Sequence, residues 1–409
     1  MTLKILKEGR GIRSALVWLG IGALLFFVAV AAVVKVVDLK QDYTTHLRMA
    51  SKITLDGLFH PIAFLRENCY PVWHVLVWLM TKVFGCAGRS AAAVVTGASV
   101  VGAWAYAARC FSRTCGDGDR DLARAASVGL ILAAPIWLPF FNPNLIIGQG
   151  GPNLLHNPTN LMVRFVALPC FVWSAAIMDG IGRESAPRLG VCKFIALSLL
   201  VLLATLSKPS FVQVFFPAMF LLALFKLIKH GKAAVGTVAA VALTFAPTLL
   251  LMGLQAWVSF YSAKGGGSGV AIAFLKVYSH FSPNIFVSMM LGICFPLIML
   301  AWSIRARKVS TAEMLAWIMY CVGWIEGSLL IETGRRMWHA NFCWGTNLTL
   351  FFILFTALDR FLSFAVEPSQ TPGGRERKCW FGCAAVVLSL HLVSGLCYLW
   401  RLLVKGIWS

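Results

Sequence analysis

The stretch DLKQDYTTHLRMASK, Asp38 to Lys52, sets Asp38, Asp42 and His46 four residues apart. On a helix that spacing stacks all three side chains on one face. A carboxylate beside an imidazole at a protein surface can take a proton from an attacking hydroxyl or help hold a cation. The same trio also suits a solvated loop end, because it follows directly on a long apolar run. The stretch alone leaves both readings open.

A second group of chemically capable residues lies in IETGRRMWHANFCWG, where Glu332, Arg335, Arg336 and His339 follow an apolar run. Two adjacent guanidiniums offer forked donors at fixed charge and suit a phosphate or pyrophosphate. The alternative is a salt bridge from Glu332 to one arginine, or arginines that snorkel to headgroups. Lys208, in LSKPSF, interrupts an apolar stretch just before a proline that can start a helix. Phosphate contact and interfacial snorkelling are its two readings, and Arg164, in NPTNLMVRF, raises the same question. In HNPTN, Pro158 blocks the glycosylation sequon, leaving His156 and Asn157 as cavity-lining residues or a plain turn. Tyr70 and His74 belong to YPVWHVLVWLMTKVFG and are further lining residues; the many Trp and Phe read better as lipid-facing and interfacial than as a sugar platform, with Trp73, Trp338 and Trp344 able to stack on a sugar ring. The alternating aspartates of GDGDRD fail the spacing of a calcium loop, and no phosphate-loop, dinucleotide or serine-hydrolase motif occurs.

These residues sit in a chain that reads as an all-α polytopic membrane protein. Of its 409 residues, 59% are hydrophobic and 13% charged, with apolar runs almost end to end. The net charge of +20 lies in short basic clusters between those runs, which fits anionic lipid headgroups and not nucleic acid. The twelve cysteines fall mostly in apolar runs, so no disulfide framework or zinc site is expected. The basic N-terminus leads into an apolar stretch too long for a signal peptide, which reads as an uncleaved first span.

Charge then orders the loops. Lys4, Lys7, Arg10 and Arg13 put the N-terminus in the cytoplasm. If 70–85 lies in the interface or re-enters, the clusters near Arg109, Arg183, Lys226, Arg305 and the 373–378 tail also become cytoplasmic. About eleven spans result, near 15–37, 90–108, 125–141, 159–178, 191–206, 210–228, 233–254, 284–303, 311–331, 340–358 and 380–400. The chain is then one integral membrane domain, 1–409. Its first extracytoplasmic loop, 38–89, is long and carries two or three short amphipathic helices, and a flexible loop covers 255–283. Every candidate site residue except Arg164 falls in an extracytoplasmic loop or turn, and Arg164 begins the span that follows one.

One span, a long outer loop opening with an acid, the helix YPVWHVLVWLMTKVFG with its Lys82-Val83-Phe84-Gly85 turn, and a span ending in AARCFSR together resemble a known group. They are similar to the GT-C superfamily of polytopic glycosyltransferases, of the protein-mannosyltransferase and aminoarabinose-transferase type. The resemblance covers about the first 140 residues. It implies an enzyme of the cell membrane that moves a sugar from a polyprenyl-phosphate donor to a glycan, lipid or protein acceptor. Asp42, or less well Asp38, would match the family's catalytic acid, with His46 as partner. Basic residues would hold the departing phosphate, a role that suits Arg335, Arg336 and Lys208. Several relatives carry a second acid in the next outer loop, and 142–160 has none, which leaves use of a divalent cation open. A polysaccharide polymerase or ligase, or a lipid-linked-sugar flippase, would share most of these features.

Overall fold

The structure, a computed structural model, describes residues 2–38, 42–116, 119–143, 150–154, 157–183, 190–258, 269–367 and 374–406; the side chains of 2–13, 335 and 374 fall outside that description. The long helices are α1 (Thr2–Asp38), α6 (Gly88–Cys115), α8 (Pro158–Asp179), α9 (Val191–Ser207), α10 (Ser210–His230), α11 (Lys232–Ala256), α13 (Ile285–Arg305), α14 (Thr311–Leu329), α15 (Cys343–Val366) and α16 (Gly374–Trp400). The shorter ones are α2 (Asp42–Ser51), α3 (Leu55–Leu58), α4 (Pro61–Glu67), α5 (Val72–Val83), α7 (Arg120–Leu132) and α12 (Lys276–Phe281).

Eight of the described helices are long and apolar enough to cross a membrane, which makes this a multi-pass membrane protein. The eleven spans expected are therefore not all matched by helices of that kind. α9 has only 17 residues, and the two glutamates of α14 keep it outside the set. α5, with 12 residues, is too short to span, as its sequence suggested. Four short helices, α2 to α5, fill the first loop instead of two or three.

The expected span at 125–141 is corrected outright, because α7 ends at Leu132 and 133–138 is not helical. This segment is nevertheless buried, with Ala133, Ala134 and Asn142 inside the bundle. Non-helical backbone survives at such depth only if protein satisfies its polar groups. Here the Ala134 amide donates to the His391 carbonyl (3.2 Å), and the Ile136 amide to the Leu291 carbonyl (3.1 Å). His391 Nδ1 donates to the Ala134 carbonyl (2.7 Å) and Ser394 Oγ to the Pro135 carbonyl (2.7 Å). The apolar run with its internal proline has the composition of a helix but forms a non-helical strap held by α13 and α16.

Burial separates centre from rim. The apolar windows of α8 and α15 are each 72% buried, against 28% for α1 and 22% for α11, so the first two form the axis. Rim helices turn large apolar side chains outward, among them Leu19, Leu24, Leu243, Leu250 and Val393. The bundle also departs from pure helix, because β1 (Val270–Ile272) pairs antiparallel with β2 (Leu330–Glu332), Val270 opposite Glu332. That ladder anchors part of the expected flexible loop, while 259–268, with its glycine run, lies outside the described residues.

Helix direction sorts the two ends. One end gathers the acid–base pairs Arg183–Asp179 (2.7 Å), Lys308–Glu367 (2.8 Å) and Arg305–Glu376 (3.6 Å). The other gathers the first loop, the start of α8, the α9–α10 junction and the β ladder, tied by Gln255 Nε2 donating to the Cys69 carbonyl (2.6 Å). Every candidate site residue described maps to this second end or, for Arg164, just inside it.

Close approach of the strap to α16 generates a test. A Cβ at Gly395 would overlap the Leu132 carbonyl where α7 gives way to the strap. Gly395→Ala is expected to destabilise the protein by about 1–3 kcal/mol, the cost of overpacking a tight site. A melting temperature in detergent equal to that of the wild type would count against the described packing.

Candidate functional site

The site is built around the start of α8. Asn157 is its N-cap, with Oδ1 accepting from the Asn160 amide (3.1 Å), and Pro158 follows at the first helical position. The same Oδ1 accepts from the Thr159 hydroxyl (2.8 Å), which orients the amide and turns Nδ2 away from the helix. Nδ2 donates to Asp42 Oδ2 at 2.9 Å. Asp42 is the first residue of α2, where the free amides of a helix start favour a carboxylate.

Lys208 enters from the α9–α10 junction. Its Nζ donates to Thr159 Oγ1 (3.2 Å) and reaches Asn157 Oδ1 (3.4 Å). The ammonium lies 5.1 Å from the Trp344 ring and 5.8 Å from the Tyr70 ring, both at cation–π range. No carboxylate among the described residues pairs with it directly. Burial lowers its pKa to about 8, with Asp42 opposing that shift through space. A cation this buried, without a direct counter-ion, attracts an anion.

A pair of histidines backs this arrangement. His74 Nδ1 is 3.2 Å from the Tyr70 carbonyl, which can only accept, so Nδ1 carries the proton. His74 Nε2 is then the acceptor for His46 Nδ1–H at 2.9 Å, and the lone pair of His46 is left on Nε2. Burial keeps both rings neutral. It lowers His74 to about 4, and it lowers His46 with help from His74 and Lys208, against the pull of Asp42. The Tyr70 hydroxyl is pushed up to about 12, chiefly by burial.

The residues singled out from sequence divide clearly. Asp42, His46, Tyr70, His74, Asn157 and Lys208 come together from four separate segments. The expected stack of Asp38 on Asp42 and His46 does not form, because α1 ends at Asp38 and α2 begins at Asp42. Asp38 instead bonds Arg89 at 2.6 Å on the exposed surface. Arg336 bonds Glu332 at 3.2 Å, and Glu332 also accepts from Asn341, so the salt-bridge reading holds for that arginine. Both remain within electrostatic reach of Tyr70 and so border the site. The Arg335 side chain and all of His156 lie outside the described residues. His339 is exposed on the short 3-10 turn after β2.

Arg164 is buried two turns inside α8, donates to the Asn153 carbonyl and lies 5.0 Å from the Phe351 ring. Trp73 is a packing residue, its indole donating to Thr96 (3.0 Å), and Trp338 stacks on His280 at 4.1 Å. Thr159 was missed altogether, since a threonine in a first helical turn gives no signal of its own. Among the described residues no three His, Cys, Asp or Glu side chains converge as a metal site would require, so the divalent cation left open by the sequence has no described three-ligand seat. In comparison with known proteins, no family model and no curated protein matches the chain.

The buried ammonium has a measurable cost. Its pKa is lowered, so the unfolded state binds the proton more tightly between about pH 8 and pH 10.5, and wild-type stability rises through that window. Lys208→Met is expected to melt at or above the wild-type temperature at pH 7, by on the order of 1 kcal/mol, with the difference shrinking above pH 8. A clear loss of stability at pH 7 would mean that Lys208 is a structural anchor.

Proposed function

We propose that this chain is a polytopic glycosyltransferase of the GT-C type, drawing a polyprenyl-phosphate-linked sugar from the bilayer and passing it to a glycan, lipid or protein acceptor. The observation that carries the reading is the bridge through Asn157 between the Asp42 carboxylate and the Lys208 ammonium. A transferase of this kind needs a base for the acceptor and a cation for the leaving phosphate, near each other and near lipid.

In this reading Asp42 takes the proton of the acceptor hydroxyl as its oxygen bonds the anomeric carbon. The bond from that carbon to the phosphate oxygen breaks, and the electron pair leaves on the polyprenyl phosphate. Lys208 stabilises the charge that gathers there, in a site where low dielectric strengthens the attraction. Neutral His46 and His74 hold α2 against α5 without adding a competing charge, and Trp344 offers an apolar wall beside the ammonium. Arg336, already partnered by Glu332, contributes at the rim.

The site end is extracytoplasmic in this account, since the other end carries Arg109, Arg113, Arg183, Lys229 and Arg305 and the positive-inside tendency puts such an end in the cytoplasm. The natural setting is a cell membrane, and assembly of a cell-envelope polysaccharide is the corresponding role. A lipid-linked-sugar carrier is the second reading. It is favoured by the buried Arg164 and the non-helical strap at 133–138, features that transporters place near substrate.

A transfer assay separates the two. Purified wild type is offered a panel of polyprenyl-phosphate sugars and simple acceptors beside Asp42→Asn. The asparagine variant should bind donor as the wild type does and turn over about 10²–10⁴-fold more slowly. Equal turnover removes Asp42 from catalysis. Donor binding with translocation and no transfer by either protein moves the carrier reading to first place.

A further inference from the structure

A groove of about 1150 Å³ runs between α1 and α6, toward the ends of these helices remote from Asp42. Its walls are apolar along most of their length, with Leu19, Phe26 and Phe27 from α1 facing Ala98, Gly102 and Ala105 from α6. Glycines let the helices around it pack closely: a Cβ at Gly22 would press on the Trp104 ring of α6 at 3.1 Å, and one at Gly102 would meet Phe165 of α8 at 2.5 Å. Such a trough on a rim helix will be filled by hydrocarbon in a bilayer.

The groove is not apolar throughout. At one end it is closed by Arg109, Ser112 and Arg113, with the two arginines exposed on successive turns of α6. Neither has a carboxylate partner among the described residues, in contrast to Arg124 nearby, which pairs with Asp121 and lies 5.1 Å from the Trp18 ring. Trp18 stands toward this end of the groove, 5.4 Å from Trp104, which is buried midway along it with its indole donating to the Ser127 hydroxyl (3.0 Å). From Ala98 to Arg113 the groove follows α6 for about 22 Å, longer than the ~15 Å depth of one leaflet's hydrocarbon.

We infer that this groove is a seat for an anionic glycerophospholipid, one acyl chain lying between α1 and α6 and the headgroup phosphate held by Arg109, Arg113 and the Ser112 hydroxyl. Charge complementarity selects this occupant over a zwitterionic lipid, because two unneutralised guanidiniums at the headgroup level favour net negative charge. The inference does not depend on the chemistry at Asp42, which lies at the other end of α6.

The test uses the full chain, reconstituted into vesicles of equal parts phosphatidylglycerol and phosphatidylcholine, re-extracted in mild detergent, with retained lipid quantified by mass spectrometry. With each basic residue contributing about fivefold, the wild type should retain phosphatidylglycerol at roughly 25-fold preference. Arg109→Gln with Arg113→Gln should abolish the preference while one lipid is still retained. Ala105→Trp should expel both lipids with the arginines intact. If the double variant does not fold, the wild type is measured at rising salt, where the preference should weaken. Equal retention of the two lipids by the wild type overturns the inference, as does a preference indifferent to salt. A dimer cross-linked through Ala105→Cys that excludes lipid would show a second copy of the chain in the groove, and would overturn it too.

Discussion

One side-chain amide joins the parts of this molecule that can do chemistry. Asn157 starts α8 with its oxygen, which the Thr159 hydroxyl and the Asn160 amide fix in orientation. Its nitrogen is thereby aimed at Asp42, while the same oxygen faces Lys208. Reversing the amide would set its NH2 against the ammonium and its oxygen against the carboxylate, so only one orientation serves all partners. Acid, base and helix start are held by a single residue at the head of one of the two most buried helices.

That arrangement sits on a rigid base and carries a stability cost. α8 and α15 form the bundle axis, and the groups at the site reach it from short elements stacked at one end: α2, α5 and the α9–α10 junction. A neutral histidine pair ties α2 to α5 by one hydrogen bond whose direction is set by a backbone carbonyl. Lys208, by contrast, is a charge removed from water whose partners among the described residues are a hydroxyl, an amide and aromatic rings. Groups left in such condition are costly to the fold, which is why they mark places where a ligand completes the set.

Much of this was legible because polar residues in a lipid-facing chain stand out. Lys208 interrupts an apolar run, Asn157 precedes a proline, and His74 lies in an otherwise apolar helix, so each is conspicuous from sequence alone. The four-residue spacing of Asp42 and His46 is a true helical spacing within α2. Asp38 shares the arithmetic but not the helix, since the element boundary falls between it and Asp42. Periodicity cannot tell a buried non-helical strap from a helix either, so 125–141 has the pattern of a span, and Pro135 is the residue within the strap that disfavours helix there. The three-residue ladder between β1 and β2 is too short to leave any pattern. Thr159 is invisible in sequence because its role depends on where Lys208 arrives.

In the proposed function the buried ammonium of Lys208 seats a lipid phosphate. The most direct measurement is the affinity of the purified protein for a polyprenyl phosphate as a function of pH. With a lysine pKa lowered to about 8, binding should be tight near pH 7 and weaken steadily above pH 8, and Lys208→Met should bind poorly at every pH. Affinity that stays flat from about pH 7 to 9.5, or that survives the methionine substitution, would contradict the account.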